Sequence, residues 1–129
     1  DHFKSINDHY GHMAGDRVLQ GVGKLLKGFF RENDIVARVG GEEFVVVATH
    51  RTPRECLAEM EALRRAIEAL KPGGFSVTAS IGLANTFQRR QASFNDLTYE
   101  ADSAMYRAKQ AGRNRIRQAG EPAVGVNGR

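Results

Sequence analysis

Two acidic side chains follow directly on a glycine pair in Gly40-Gly41-Glu42-Glu43-Phe44, an arrangement that can do chemistry. Lacking β-carbons, Gly40 and Gly41 let a ligand approach the backbone closely. A carboxylate beside them offers hard oxygen ligands to Mg²⁺, an ion usually shared with substrate phosphates. Taken alone, the segment is equally a hairpin with two solvated acids, and for an isolated Gly-Gly-Glu-Glu that is the simpler reading. Basic groups collect late in the chain at Arg107, Lys109, Arg113, Arg115 and Arg117. They suit the negative end of a helix dipole and also anionic partners. Arg31-Glu32-Asn33-Asp34 pairs an arginine able to grip phosphate or a guanine edge with an acid able to accept from guanine N1–H and N2–H₂. As a bare pattern it reads as a surface ion pair. His9 and His12 share helical spacing, but no further soft ligands surround them, so no zinc site is expected.

These groups need elements to hold them. Phe3, Ile6 and Tyr10 fall at helical spacing and predict a short helix over 3–10, ended by Gly11. Val18, Leu19, Val22, Leu25, Leu26 and Phe29 mark a longer amphipathic helix. Ile35–Val39 and Phe44–Ala48 are β-rich runs flanking Gly40-Gly41, a dipeptide that allows a tight hairpin turn. Thr52, Pro53 and Glu55 spell a helix start, as N-cap, first-turn proline and capping-box acid. Leu57, Met60, Leu63, Ile67 and Leu70 line its buried face, and Lys71-Pro72-Gly73-Gly74 ends it. Phe75–Leu83 alternates apolar and polar residues like a half-buried strand. A polar loop spans Thr86–Ser93. A helix then runs from about Asn95, with Leu97, Ala101, Ala104, Met105 and Ala108 inward and Gly112 as its stop. Asn114–Arg117 reads as a last short strand. The order is ααββαβα plus that strand, an α+β pattern; a split βαβ sandwich also needs a strand ahead of the first helix, so Asp1 falls where that strand would have just finished.

Composition bounds the answer. A chain of 129 residues, 41% hydrophobic and 26% charged, is expected to form one globular domain. No apolar run approaches the roughly 18 residues of a membrane span, so no membrane contact by this domain is expected. Cys56 is the single cysteine, which excludes an internal disulfide and fits a reducing, cytoplasmic setting. The net charge of +4 favours anions, yet Tyr106 is the only ring near the basic cluster, so a nucleic-acid partner is not expected. The folded domain is expected over 1–117, with the glycine-containing stretch 118–129 a disordered tail.

Four ordered blocks bear a family resemblance. Asp1-His2-Phe3-Lys4-Ser5-Ile6-Asn7-Asp8, with Gly11-His12 and Gly15-Asp16, is similar to the D-x-F-K-x-I-N-D-x-x-G-H-x-x-G-D signature of GGDEF domains. Arg38–Phe44 resembles the family's signature turn in its GGEEF form, and Ser76–Gly82 the strand that follows. Ala101-Asp102, Tyr106-Arg107-Ala108-Lys109 and Gly112-Arg113-Asn114 resemble its closing block. Together they cover residues 1–116. The resemblance implies a nucleotidyl-cyclase, palm-like βαββαβ sandwich whose first strand is absent from this chain. It implies a diguanylate cyclase, in which two GTP molecules on two facing domains condense into cyclic di-GMP with release of pyrophosphate. A homodimer is then a mechanistic requirement, and a regulatory input domain is implied for the parent protein.

By the same resemblance, Asn7 and Asp16 read guanine, a role their amide and carboxylate suit. On residue grounds alone Asp16 is equally a helix cap and Asn7 a turn residue. His2, Phe3 and Lys4 match the phosphate-holding loop, with Lys4 adding a point charge and Phe3 also fitting as a core anchor. Lys109 and Arg113 match distal phosphate ligands. Gly41 and Glu42 match the turn that meets ribose and metal, with Glu42 the ligand to Mg²⁺ or Mn²⁺. Either Glu42 or Glu43 can deprotonate the attacking hydroxyl. Arg31 and Asp34 match an inhibitory product site, which Arg64 or Arg65 could extend. The family's main metal aspartate belongs two residues before the position of Asp1, so this stretch alone is expected to show little or no cyclase activity while still binding guanine nucleotides. Two other functions fit the residues less well: a non-catalytic cyclic di-GMP receptor, and a basic nucleic-acid-binding module.

Overall fold

In the computed structural model, which describes residues 1–40, 42–49, 51–87 and 92–120, local sequence signals set most of the elements. Helix α1 (Phe3–Tyr10) stops at Gly11, whose φ of 90° suits a residue without a β-carbon and whose N–H bonds to the Asn7 carbonyl at 2.9 Å. Helix α2 (His12–Phe29) follows at once. It begins six residues before the apolar stripe that predicts it, because the turn His12–Arg17 continues the same helix. The helix α3 (Pro53–Leu70) starts as its sequence foretells: the Thr52 hydroxyl accepts from the Glu55 N–H while the Glu55 carboxylate accepts from the Thr52 N–H. Lys71, left-handed at φ 47°, ends it ahead of a single 3-10 turn, Pro72–Gly74. Helix α4 (Phe94–Gln110) carries a second capping box, made by Ser93 and Asp96. Of the predicted loop before it, residues 88–91 lie outside the described residues.

The strands form two pairs. β1 (Ile35–Arg38) and β2 (Phe44–Val47) run antiparallel, with Ile35 opposite Val47 and Arg38 opposite Phe44. Their connection is wider than a tight two-residue turn: the Val39 N–H donates to the Glu43 carbonyl at 2.9 Å, closing a loop over residues 39–43. β3 (Ser80–Leu83) and β4 (Arg115–Gln118) run parallel, with α4 as the crossover. The last strand therefore includes Gln118, where a disordered tail was expected to begin, and the Ala119 N–H still bonds to the Leu83 carbonyl at 2.8 Å. Residues 121–129 of that expected tail lie outside the described residues. Of the predicted strand 75–83, only the end from Ser80 sits in a ladder. Val77 is buried and Ser76 exposed, as the alternation requires, but residues 75–79 have no neighbouring strand among the described residues.

The two pairs do not join among the described residues. Between them lies a cavity of about 550 Å³, lined by Val45 and Val46 on one side and Thr78–Leu83 on the other. Its floor is the core where α2 and α3 meet, built from Val18, Leu26, Met60, Leu63 and Ile67. The α+β architecture is thus a sheet in two halves backed by helices.

On the far side, α4 lies unusually close to β3. Ala104 and Ala108 are fully buried, and a β-carbon at Gly82 would stand 1.9 Å from the Ala101 carbonyl oxygen and 2.4 Å from the Met105 nitrogen. Both are backbone atoms of a helix, so neither can swing aside. Gly82→Ala should therefore destabilise the domain by about 1–3 kcal/mol in urea unfolding, as overpacking does. Gly28→Ala is the control, because nothing lies within 4 Å of its β-carbon position. That exposed helical site should gain up to about 1 kcal/mol. Equal behaviour of the two variants would mean that α4 is not seated on Gly82.

Candidate functional site

Asp1 fixes the start of α1 to the sheet. Its carboxylate accepts from the Thr78 hydroxyl at 2.8 Å, from the Ser80 hydroxyl at 2.8 and 2.9 Å, and from the Asn114 N–H at 3.2 Å. These donors occupy the acid, so it serves as an anchor and takes no place as a metal ligand. His2 follows in a left-handed conformation at φ 67°, and its carbonyl takes the Ile6 N–H. His2 and Lys4 are exposed, whereas Phe3 is half-buried against the core, the anchor position.

Asn7 turns inward toward α2. Gly15 makes room for it: a β-carbon there would lie 1.8 Å from Asn7 Oδ1. The same Oδ1 is buried with no hydrogen-bond partner, an acceptor left for something else. Asp16 is exposed one residue beyond, well inside α2, so the helix-cap alternative does not hold. Its neighbour Gly15 is what brings the Asn7 side chain and the start of α2 together.

The glycine hairpin delivers its acids to the cavity between the half-sheets. Glu42 and Glu43 line it together with Phe3, Asp1, Asp102 and Lys109. Arg38 Nε steadies the loop by donating to the Gly40 carbonyl at 3.2 Å. Gly41 lies outside the described residues. Glu42, Lys109 and Arg113 all act electrostatically on the backbone nitrogen of Asp1, which places these charges in one neighbourhood. Lys109 sits in the last turn of α4, but Arg113 does not share its helix face. The helix ends at Gln110, and Arg113 is left-handed at φ 64° with its N–H on the Ala108 carbonyl at 3.0 Å. Among the described residues no three His, Cys, Asp or Glu side chains come together to hold a metal ion. The described side chains around Glu42 therefore do not by themselves complete a metal site.

The segment from Arg31 to Asp34 lies at the foot of α2, ahead of β1. Arg31 is exposed, but Asp34 is enclosed: Arg51 grips both its oxygens, at 2.7 Å to Oδ1 and 2.6 Å to Oδ2. Arg51 also pairs with Glu59 and donates to the Thr49 carbonyl at 3.0 Å. Hydrogen bonding to Arg51 holds the Asp34 carboxyl down at about 2, and the same contacts push the arginine upward. Arg64 and Arg65 do not extend this cluster. Arg64 pairs with Glu61 and donates to Asn114 Oδ1 at 2.8 Å, and Arg65 pairs with Glu61 at 3.5 Å. Sequence reasoning passed over Arg51, whose partner Asp34 lies 17 positions away in the chain. It also gave Asn114 no role, although its amide donates to Glu68 at 2.8 Å and its backbone to Asp1.

A family model described as "Diguanylate cyclase, GGDEF domain" matches residues 1–115. The chain belongs to the GGDEF family. Diguanylate cyclase A of Treponema denticola is 40% identical over 120 residues, covering 90% of this chain and 32% of its own. The domain therefore spans about a third of that curated relative. Among solved structures, the GGDEF domain of DgcB from Caulobacter crescentus in complex with c-di-GMP matches with a TM-score of 0.85 at 29% identity, over 94% of this chain and 74% of that one. An active GGEEF domain of a diguanylate cyclase from Vibrio cholerae also reaches 0.85, at 28% identity, over 95% and 79%. The palm-like α+β fold implied by the sequence blocks is thereby the fold of this GGDEF domain.

The Asp34 pair gives a pH signature. A carboxyl whose folded pKa drops from 3.8 to about 2 stabilises the fold above the upper value, and that contribution fades as pH falls through the lower one. At pH 7, Asp34→Asn should cost on the order of 3 kcal/mol in urea unfolding, because Arg51 loses a buried partner. The gap to the native domain should narrow between about pH 4 and about pH 2. A gap that is constant with pH would mean that the ion pair does not form.

Proposed function

We propose that this GGDEF domain is the catalytic module of a diguanylate cyclase, condensing two GTP molecules into cyclic di-GMP and two pyrophosphates. The observation that carries the reading is the convergence of Glu42, Glu43 and Lys109 on one cleft beside the α1 loop, in a chain of this family.

The residues divide the work. The partnerless Asn7 Oδ1 is an acceptor for the guanine N1–H or N2–H₂, with the exposed Asp16 offering its carboxylate to the same base. His2, Phe3 and Lys4 hold the phosphates at the head of α1, and Lys109 and Arg113 supply positive charge to the distal ones. Gly41, which has no β-carbon, is the residue read as meeting the ribose. Each 3′-hydroxyl attacks the α-phosphorus of the other GTP; the new P–O bond forms as the bond to pyrophosphate breaks. The hydroxyl proton passes to Glu42 or Glu43, both exposed at the hairpin. One domain presents one GTP, so a second copy of the domain is required to face it.

Glu42 is the carboxylate offered to Mg²⁺ or Mn²⁺, which would neutralise phosphate charge when bound. Its remaining ligands would come from the substrate phosphates and from outside the described residues. Product is read as inhibiting at Arg31 beside Asp34. An input domain in the parent and a cytoplasmic setting complete the proposal; no helix of the described residues is long and apolar enough to cross a membrane.

In the full-length parent, Glu42→Gln should lower cyclic di-GMP formation by at least about a hundredfold while circular dichroism stays native. Turnover near the native rate would remove Glu42 from the mechanism. Asn7→Ala should raise the KM for GTP by about tenfold, the worth of a hydrogen bond donated to a buried acceptor. An unchanged KM would move the base elsewhere.

A further inference from the structure

On the inhibitory-site reading, Arg31 and Asp34 meet the cyclic dinucleotide together, yet their surroundings separate them. The Arg31 side chain is exposed at the head of the turn 31–34, whereas the Asp34 side chain is 1% exposed. Asp34 Oδ1 accepts from Arg51 Nη1 at 2.7 Å and from the Thr49 N–H at 3.4 Å. Oδ2 accepts from Arg51 Nη2 at 2.6 Å and from the Arg31 N–H at 2.9 Å. A carboxylate has about four lone-pair sites, and these donors use them all. Arg51 is equally committed. Its side chain is 2% exposed, its Nε donates to Glu59, and Nη1 also donates to the Thr49 carbonyl.

We propose that Arg51 sets the product sensitivity of this domain by occupying the acid of its Arg-x-x-Asp pattern, so that a cyclic dinucleotide engages Arg31 and not Asp34. The proposal rests on the inhibitory-site reading above. For guanine N1–H and N2–H₂ to reach Asp34, neutral donors would have to displace a charged, two-pronged guanidinium from a buried partner. A charge-assisted bidentate pair is about twice as strong per bond as a neutral one, and Arg51 would be stranded beside Glu59 alone. What Asp34 supplies instead is position. By accepting the Arg31 N–H it closes the turn, with the Asp34 N–H on the Arg31 carbonyl at 3.0 Å, and so fixes where the Arg31 guanidinium starts from.

Calorimetric titration of cyclic di-GMP tests this on the native chain, Arg51→Lys, Arg51→Met combined with Glu59→Gln, and Asp34→Asn, each with and without Arg31→Ala. Thermal melts report folding. Releasing Asp34 adds a charged acceptor to the site, so both Arg51 variants should bind about tenfold tighter although they melt lower. A purely structural role for Arg51 would lower affinity and stability together. Asp34→Asn should bind like the native chain, and combining it with Arg51→Lys should erase the gain. Arg51→Lys keeps the charge, and if the Met/Gln pair fails to fold it decides the matter together with Asp34→Asn. Equal or weaker binding by a folded Arg51 variant, still dependent on Arg31, overturns the proposal alone; so does weakened binding by Asp34→Asn in the native background. Binding by no variant, or binding indifferent to Arg31→Ala, overturns the inhibitory-site reading and the proposal with it.

Discussion

The Asp1 carboxylate accepts hydrogen bonds from two segments that the chain keeps far apart: the run that holds Thr78 and Ser80, and the backbone of Asn114. A half-buried acid can stay charged only where donors converge on it, so these contacts constrain more than one side chain. They set the head of α1 beside β3 and the start of β4. From that anchor Phe3 reaches the core and Lys4 faces outward. The end of α4 is fixed by the same construction, because Asn114 follows directly on Arg113 and just after Lys109. The phosphate-binding and base-binding residues proposed here come from opposite ends of the chain; one acid sets the relation between them.

Much of this was legible in the sequence because it is local. Thr52-Pro53-x-Glu55 encodes a cap whose atoms are all within four residues, and it forms as written. The β-rich runs Ile35–Arg38 and Phe44–Val47 around glycines encode a hairpin, and the apolar stripe from Val18 to Phe29 encodes α2. Failures arise where the deciding partner is remote. Arg51 and Asp34 are 17 positions apart, and no periodicity relates them. The run from Phe75 reads as one strand, but a ladder needs a neighbour, and β4 reaches only Ser80–Leu83. Arg113 follows Lys109 at helical spacing, yet α4 stops between them. The motif blocks name candidate site residues without fixing their conformations.

Two arginines on or just before α3 organise its surroundings in different ways. Arg51 joins the head of the helix to Asp34, through a pair almost fully withdrawn from water. Arg64 joins its middle to Asn114 while pairing with Glu61 along the helix. The first link reaches the hairpin side of the domain and the second reaches β4, so α3 spans the divided sheet from behind. Buried ion pairs add little net stability over apolar packing, but they resist substitution strongly because removing one partner strands the other. The Arg51–Asp34 pair is of that kind, whereas the Arg64 link towards β4 is a hydrogen bond to a neutral amide; together they tie α3 to both strand pairs.

The backbone near the end of α4 carries a consequence for how this sequence can vary. Arg113 and Asn114 are consecutive residues at φ 64° and 46°, directly after Gly112 at 126°. Asparagine tolerates the left-handed region, whereas arginine there bears strain on the order of 1–2 kcal/mol that glycine would relieve. Drift under selection for stability alone would therefore push position 113 toward glycine or asparagine. An arginine here trades local stability for a positive charge at one point in space. Relieving the backbone and keeping the charge are thus opposing demands on one residue, and no single substitution at 113 meets both.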